Sequence, residues 1–148
     1  MSEFQRPVGP AVLTTELHQD DRGFVYCPMD NLDKLGIKRT YFVENFQVGR
    51  IRAWHGHREA DTYIHVIKGA VKAAAMNMDN HEDFKVQTLS DRKPQVLFVP
   101  RGYYNGTMSL TPGTKLLVYS TLSFEEVKKD DHRLGWGVNQ HIWKVENR

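Results

Sequence analysis

Turn residues recur along this chain at intervals too short for long helices, and that spacing limits the folds open to it. Asp21-Arg22-Gly23, Leu35-Gly36, Gly69, Asp79-Asn80, Lys93-Pro94, Arg101-Gly102 and Pro112-Gly113 separate segments rich in Val, Ile, Tyr, Phe and Thr. Gly, Pro, Asn and Asp close strands, while β-branched and aromatic residues fill them. The expected strands are Phe24–Pro28, Lys38–Asn45, Arg50–His55, Thr62–Lys68, Ala70–Met78, Phe84–Leu89, Gln95–Val99, Gly106–Leu110, Lys115–Thr121 and His141–Val145. Helical signals are confined to Asp30–Leu35 and Ser123–Lys129, where Ser123 and Glu126 stand at capping-box spacing. Strands this close in sequence predict an all-β sandwich or closed barrel, read as one domain over residues 1–148. The interior of a small barrel can hold one small ligand.

Composition removes several function classes. The formal net charge of +2 is spread without a basic run, so no nucleic-acid partner is expected. One cysteine, Cys27, permits no intrachain disulfide and no thiolate zinc site; it reads as a small buried hydrophobe. No apolar stretch approaches a membrane span, and MSEFQRPVGP has no apolar run of the signal-peptide kind. The expected location is therefore the cytoplasm. Neither a glycine-rich dinucleotide fingerprint nor a P-loop occurs, so no redox cofactor and no ATP hydrolysis are expected.

The chemistry is concentrated in GRIRAWHGHREADTYIHVIKG, from Gly49 to Gly69. Residues two apart in an extended chain share a face, so His55 and His57 point the same way, and Tyr63, His65 and Ile67 share a face of the next strand. Pairing of these strands across the turn near Arg58–Asp61 would let all three imidazoles meet in one cavity. Arg52 lies three residues before His55, so it faces outward unless a bulge near Ala53 turns it in.

These residues resemble the cupin family. Its first motif, Gly-x5-His-x-His-x3–4-Glu-x6-Gly, is matched in spacing by Gly49, His55, His57, Thr62 and Gly69, with Thr62 in place of the Glu. Its second motif is matched by Pro100, Gly102 and Asn105, with Asn105 in place of the last metal-binding His. A metal cupin needs about three His and a carboxylate, and two of the four remain, so no metal is expected. The chain more narrowly resembles the nucleotide-sugar cupins, the deoxythymidine-diphosphate-4-keto-6-deoxyglucose 3,5-epimerases and related 3,4-ketoisomerases. The likeness covers roughly Asp20 to Trp143, and is carried by DDRGFVY, IKRTYFVEN, RAWHGH, VPRGYYNG and DDHRLGW. It implies the double-stranded β-helix (jelly-roll) barrel, a nucleotide-sugar substrate, no cofactor, a homodimer with strands exchanged or paired, and a place in carbohydrate and cell-surface polysaccharide biosynthesis.

The residue roles follow from that likeness and from imidazole chemistry near neutral pH. His55 is the expected base, with His57 as its partner. His65 stands ten residues after His55, where the epimerases carry a lysine. Arg52 and Arg22 are expected to clamp a diphosphate or keto oxygen. Asn105, Tyr104 and Tyr119 are expected substrate contacts. Trp54 and Trp136 are expected to pack against the barrel. The epimerases' catalytic tyrosine falls near Phe124 and is missing, as is their C-terminal aspartate. The competing readings are a sugar-nucleotide binder without catalysis and a metal-dependent cupin using His55, His57 and His65.

Overall fold

The computed structural model describes residues 6–148. Residues 1–5, on which part of the signal-peptide reading falls, lie outside the described residues. Twelve strands occur among the described residues: β1 (Ala11–Thr14), β2 (Leu17–Asp20), β3 (Gly23–Tyr26), β4 (Arg39–Asn45), β5 (Ile51–His57), β6 (Thr62–Lys68), β7 (Ala70–Asn77), β8 (Phe84–Ser90), β9 (Gln95–Val99), β10 (Tyr103–Ser109), β11 (Thr114–Ser120) and β12 (His132–Arg133). Two short helices, α1 (Leu32–Leu35) and α2 (Phe124–Val127), accompany them. Ser123 caps α2 through the expected capping box.

The strands form two five-stranded antiparallel sheets, β1-β9-β6-β11-β4 and β12-β5-β10-β7-β8, and a separate β2-β3 hairpin. The first sheet contributes Ile64, Val66, Leu97, Val99, Leu116 and Val118 to the space between the sheets, and the second contributes Val71, Ala73, Ala75 and Leu89. This is the cupin jelly-roll architecture. Period-2 alternation means that each strand also presents a second set of side chains outward. On the outer face of the second sheet, Trp54, Met76, Tyr104 and Met108 are covered by Ile142 and Trp143. On the outer face of the first, Tyr63, Phe98 and Tyr119 are covered by Met29 and Ile37.

Several expectations need correction. The segment His141–Val145 is not a strand: Gln140–Trp143 forms a 3-10 turn that lays Trp143 against Trp54, ring centroids 5.3 Å apart. The aromatic packing of this outer face outweighs the β propensity of the segment. The strands β1, β2 and β12 fall outside the expected set, because they are two to four residues long and carry weak patterns. Cys27 is exposed, not buried, because it follows the projecting hairpin; its Sγ donates to the Met29 carbonyl at 3.1 Å. Trp136 is likewise 53% exposed and outside the packing, whereas Trp54 is fully buried.

Candidate active site

The pairing of β5 with β10 decides where the histidines face. His55 lies opposite Asn105 and His57 opposite Tyr103. Asn105 also lies opposite Ala75, which belongs to the core between the sheets. Directly opposed residues of an antiparallel pair share a face, so both imidazoles point between the sheets. Thr62 also points inward, opposite the core residue Val99.

A bulge brings Arg52 to the same side. Between Asn105 and Thr107 the partner positions on β5 run from His55 to Arg52, so β5 holds one extra residue. Ala53 and Trp54 both pack outward with Trp143, and Arg52 rejoins the inner face opposite Thr107. The ladder is interrupted at this point, and the Asn105 side-chain amide donates to the freed His55 carbonyl at 3.0 Å. The Arg52 Nε donates to Asn45 Oδ1 at 2.7 Å.

Each histidine has a distinct electrostatic setting. His57 donates from Nδ1 to the Asp130 carbonyl at 2.7 Å, because a carbonyl only accepts. That bond orients the ring and leaves Nε2 unprotonated in the neutral form. The Asp130 carboxylate accepts from the Arg58 and Glu59 amides at 3.0 and 2.8 Å and from His132 Nε2 at 3.1 Å. Burial pushes the Asp130 carboxyl up, but these donors outweigh it and hold the group below the usual carboxylate range. His55 is pushed below the ordinary histidine value, first by burial, then by the Arg133 guanidinium, with His57 and Arg52 adding to it and Asp131 opposing. Arg133 lies opposite His55 in the β12–β5 pair, so it shares the inward face.

Tyr41 faces the same interior from β4, packed on the core beside Val43. Burial pushes its phenol up, with Arg39 opposing. Tyr41, Asn45, Asp130 and Arg133 carry no role in the sequence reading. The signal for the first two was present: Tyr41, Val43 and Asn45 alternate along one strand, and the inward face becomes identifiable once Val43 is known to be core.

Four expected residues are not brought to the histidine pair. His65 shares the outward face of β6 with Tyr63, so the three imidazoles do not meet. It is 3% exposed, donates from Nδ1 to the Gln95 carbonyl at 3.1 Å, and accepts at Nε2 from the Tyr26 hydroxyl at 3.0 Å. Tyr119 is on that same outer face. Tyr104 is on the outer face of the other sheet, in T-shaped contact with His81. Strand parity is the reason in each case, since each sits one residue out of phase with the inward set. Arg22 lies at the turn of the β2-β3 hairpin, bonded to Asp20 at 2.6 Å, with its side chain 87% exposed. Among the described residues no three His, Cys, Asp or Glu side chains group as a metal site requires. The inward set of His55, His57, Asn105 and Thr62 does not fit the ligand set of a metal cupin.

Comparison with known proteins adds the family. Residues 12–133 match the family model described as FdtA: WxcM-like, C-terminal. No curated protein matches the sequence. Among solved structures, the chain is similar to a dTDP-4-dehydrorhamnose 3,5-epimerase from Bacillus anthracis str. Ames with TDP and PPi bound, at 21% identity and TM-score 0.78, covering 88% of this chain and 81% of that one. It is similar to the rmlC epimerase of Mycobacterium tuberculosis at 14% identity and TM-score 0.79, covering 98% and 78%. It is also similar to ChmJ, a 3'-monoepimerase from Streptomyces bikiniensis in complex with dTDP-quinovose, at 12% identity and TM-score 0.77, covering 90% and 73%.

Proposed function

Since the chain belongs to the FdtA (WxcM-like, C-terminal) family, we propose that it is an isomerase of nucleotide-activated 4-keto-6-deoxy sugars, an epimerase or 3,4-ketoisomerase that needs no cofactor. The observation that carries this reading is the inward pair His55 and His57, one pushed below the ordinary histidine value by burial and the other oriented by the Asp130 carbonyl. In this reading the His55 imidazole removes the proton on the carbon next to the ketone. The electrons move onto the ketone oxygen, and Arg52 stabilises the enolate. His57, through its free Nε2, is the second proton-transfer group. Return of the proton to the other face of the same carbon gives an epimer. When the proton on that carbon's hydroxyl passes to the former ketone oxygen and the carbon-bound proton returns to the former carbonyl carbon, the ketone moves to the neighbouring carbon. Tyr41 supplies an inward hydroxyl that no expected tyrosine supplies.

The assembly belongs to the same proposal. Among the described residues the β2-β3 hairpin pairs only with itself, and it leaves Phe24 60% and Val25 73% exposed. In a homodimer this hairpin reaches a second copy, where Arg22 serves the partner's cleft as the substrate-binding residue expected of it. The protein then works in the cytoplasm, in carbohydrate and cell-surface polysaccharide biosynthesis.

The test is incubation with a dTDP-4-keto-6-deoxy sugar in heavy water, with deuterium read at the carbons flanking the ketone. Wild type is expected to exchange, and His55→Ala to lose about 10²- to 10⁴-fold in rate. Saturable binding without any exchange would overturn the catalytic reading in favour of a sugar-nucleotide binder, the reading supported by Asn105 being occupied with the His55 carbonyl.

A further inference from the structure

The space between β4 and β5 contains a polar group with an unspent hydrogen-bond donor. Asn45 is 3% exposed, at the end of β4 and on the inward face it shares with Tyr41 and Val43. Its Oδ1 accepts from Arg52 Nε at 2.7 Å. That bond orients the carboxamide, and Nδ2 is left buried without a partner among the described residues. A buried donor without an acceptor is costly, and such groups are few in native structures. The Arg52 guanidinium itself is exposed, and its one side-chain bond among the described residues is the one from Nε. Its terminal N–H groups are therefore directed to neither Asn45 nor any other described side chain.

We propose that Asn45 and Arg52 together form an anionic-oxygen site, in which Asn45 has two roles. It positions the guanidinium through Oδ1, and it donates from Nδ2 to the same ligand that Arg52 pairs with. A guanidinium tethered at Nε offers its terminal N–H groups as a fixed fork, the geometry that suits phosphate and carboxylate-like oxygens. An adjacent amide N–H adds a neutral donor of the kind that stabilises an oxyanion. The inference rests on the proposed isomerase reading for the meaning of the oxygen. An enolate oxygen and a diphosphate oxygen share the required chemistry, and the tests below separate them.

Two variants probe the site. Asn45→Ala removes both roles; Asn45→Asp keeps the shape but puts a carboxylate against Arg52, which neutralises the fork. Thermal melting checks that each folds. Thymidine diphosphate and inorganic pyrophosphate are titrated by calorimetry, and solvent deuterium exchange is measured on the keto sugar nucleotide. A tenfold or greater weakening of both phosphate probes assigns the site to the diphosphate. Unchanged probe affinity with a tenfold or greater fall in exchange kcat assigns it to the enolate oxygen. A double-mutant cycle with Arg52→Ala tests whether Asn45 positions the guanidinium. The effect of Asn45→Ala is expected to shrink but not vanish when Arg52 is already absent, because the Oδ1 role is lost with the guanidinium while the Nδ2 donor remains. An equal effect in both backgrounds, or folded variants with unchanged binding and exchange, would overturn the proposal. The phosphate titrations remain readable if wild type exchanges no deuterium, so failure of the isomerase reading and failure of this site are distinguishable.

Discussion

Burial, and then the guanidiniums of Arg133 on the neighbouring edge strand and Arg52 on its own strand, act against protonation of His55. A base must be uncharged to accept a proton, so activity rises with pH as His55 deprotonates. Because burial and the two arginines lower its pKa, the acid limb of the rate profile lies below that of an ordinary histidine. Replacing Arg133 by Gln removes one of these charges and leaves the burial. The acid limb of kcat/KM for deuterium exchange is then expected to move to higher pH, with a smaller change on the high-pH plateau. An unmoved limb would mean that Arg133 does not act on the base. From the sequence, His55, His57 and Arg52 were legible because the His-x-His spacing is local. Arg133 was not, because it lies 78 positions from His55 and reaches it only through the β12–β5 pairing.

At the scale of elements, β5 carries two demands at once. Its inner face needs His55 and His57 aligned, and its outer face must accept the aromatic layer. Gly56, between the histidines, meets the second demand: a Cβ there would lie 2.6 Å from Tyr104 Cδ1 and 3.1 Å from Met78 Sδ. Tyr104 is 8% exposed and packed against His81, so its ring has little room to retreat. Gly56→Ala is expected to cost about 1–3 kcal/mol in chemical denaturation. The same substitution is expected to lower exchange activity by spreading β5 from β10, which would weaken the hold of Asn105 on His55. A variant as stable and active as wild type would show that the outer layer yields freely. Sequence alternation alone left Arg52 with two possible faces, and only the extra residue in β5 chose between them.

Across the whole molecule, one buried carboxylate joins distant parts of the chain. Asp61, 4% exposed, accepts from Arg6 Nε and Nη2 at 2.9 and 2.7 Å and from the Arg101 amide at 3.0 Å. It therefore ties the N-terminal segment and the β9–β10 turn to the start of β6. Burial pushes the carboxyl up, but the two arginines outweigh it and bring it down to about 2. A carboxyl with a folded pKa below its unfolded value contributes stability that is full above about pH 4 and is lost as pH falls towards 2. Asp61→Asn is expected to cost about 2–3 kcal/mol at neutral pH. Its melting temperature should approach that of wild type as pH falls towards 2; a constant gap would place the effect in packing instead of charge.

The sequence by itself determined the all-β architecture, the turn positions, the capping box of α2 and the common face of His55 and His57. All of these rest on contacts or periodicities within a few residues. Tertiary structure decided which face of each strand is the inside. His65 and Tyr119 lie on expected strands and Tyr104 just ahead of one, yet each falls on the outward parity. Parity becomes inside or outside only when two sheets have packed and terminal segments have covered the remaining faces. The same packing set Asn45 beneath Arg52 and Arg133 beside His55, and thereby chose the company of the histidine pair.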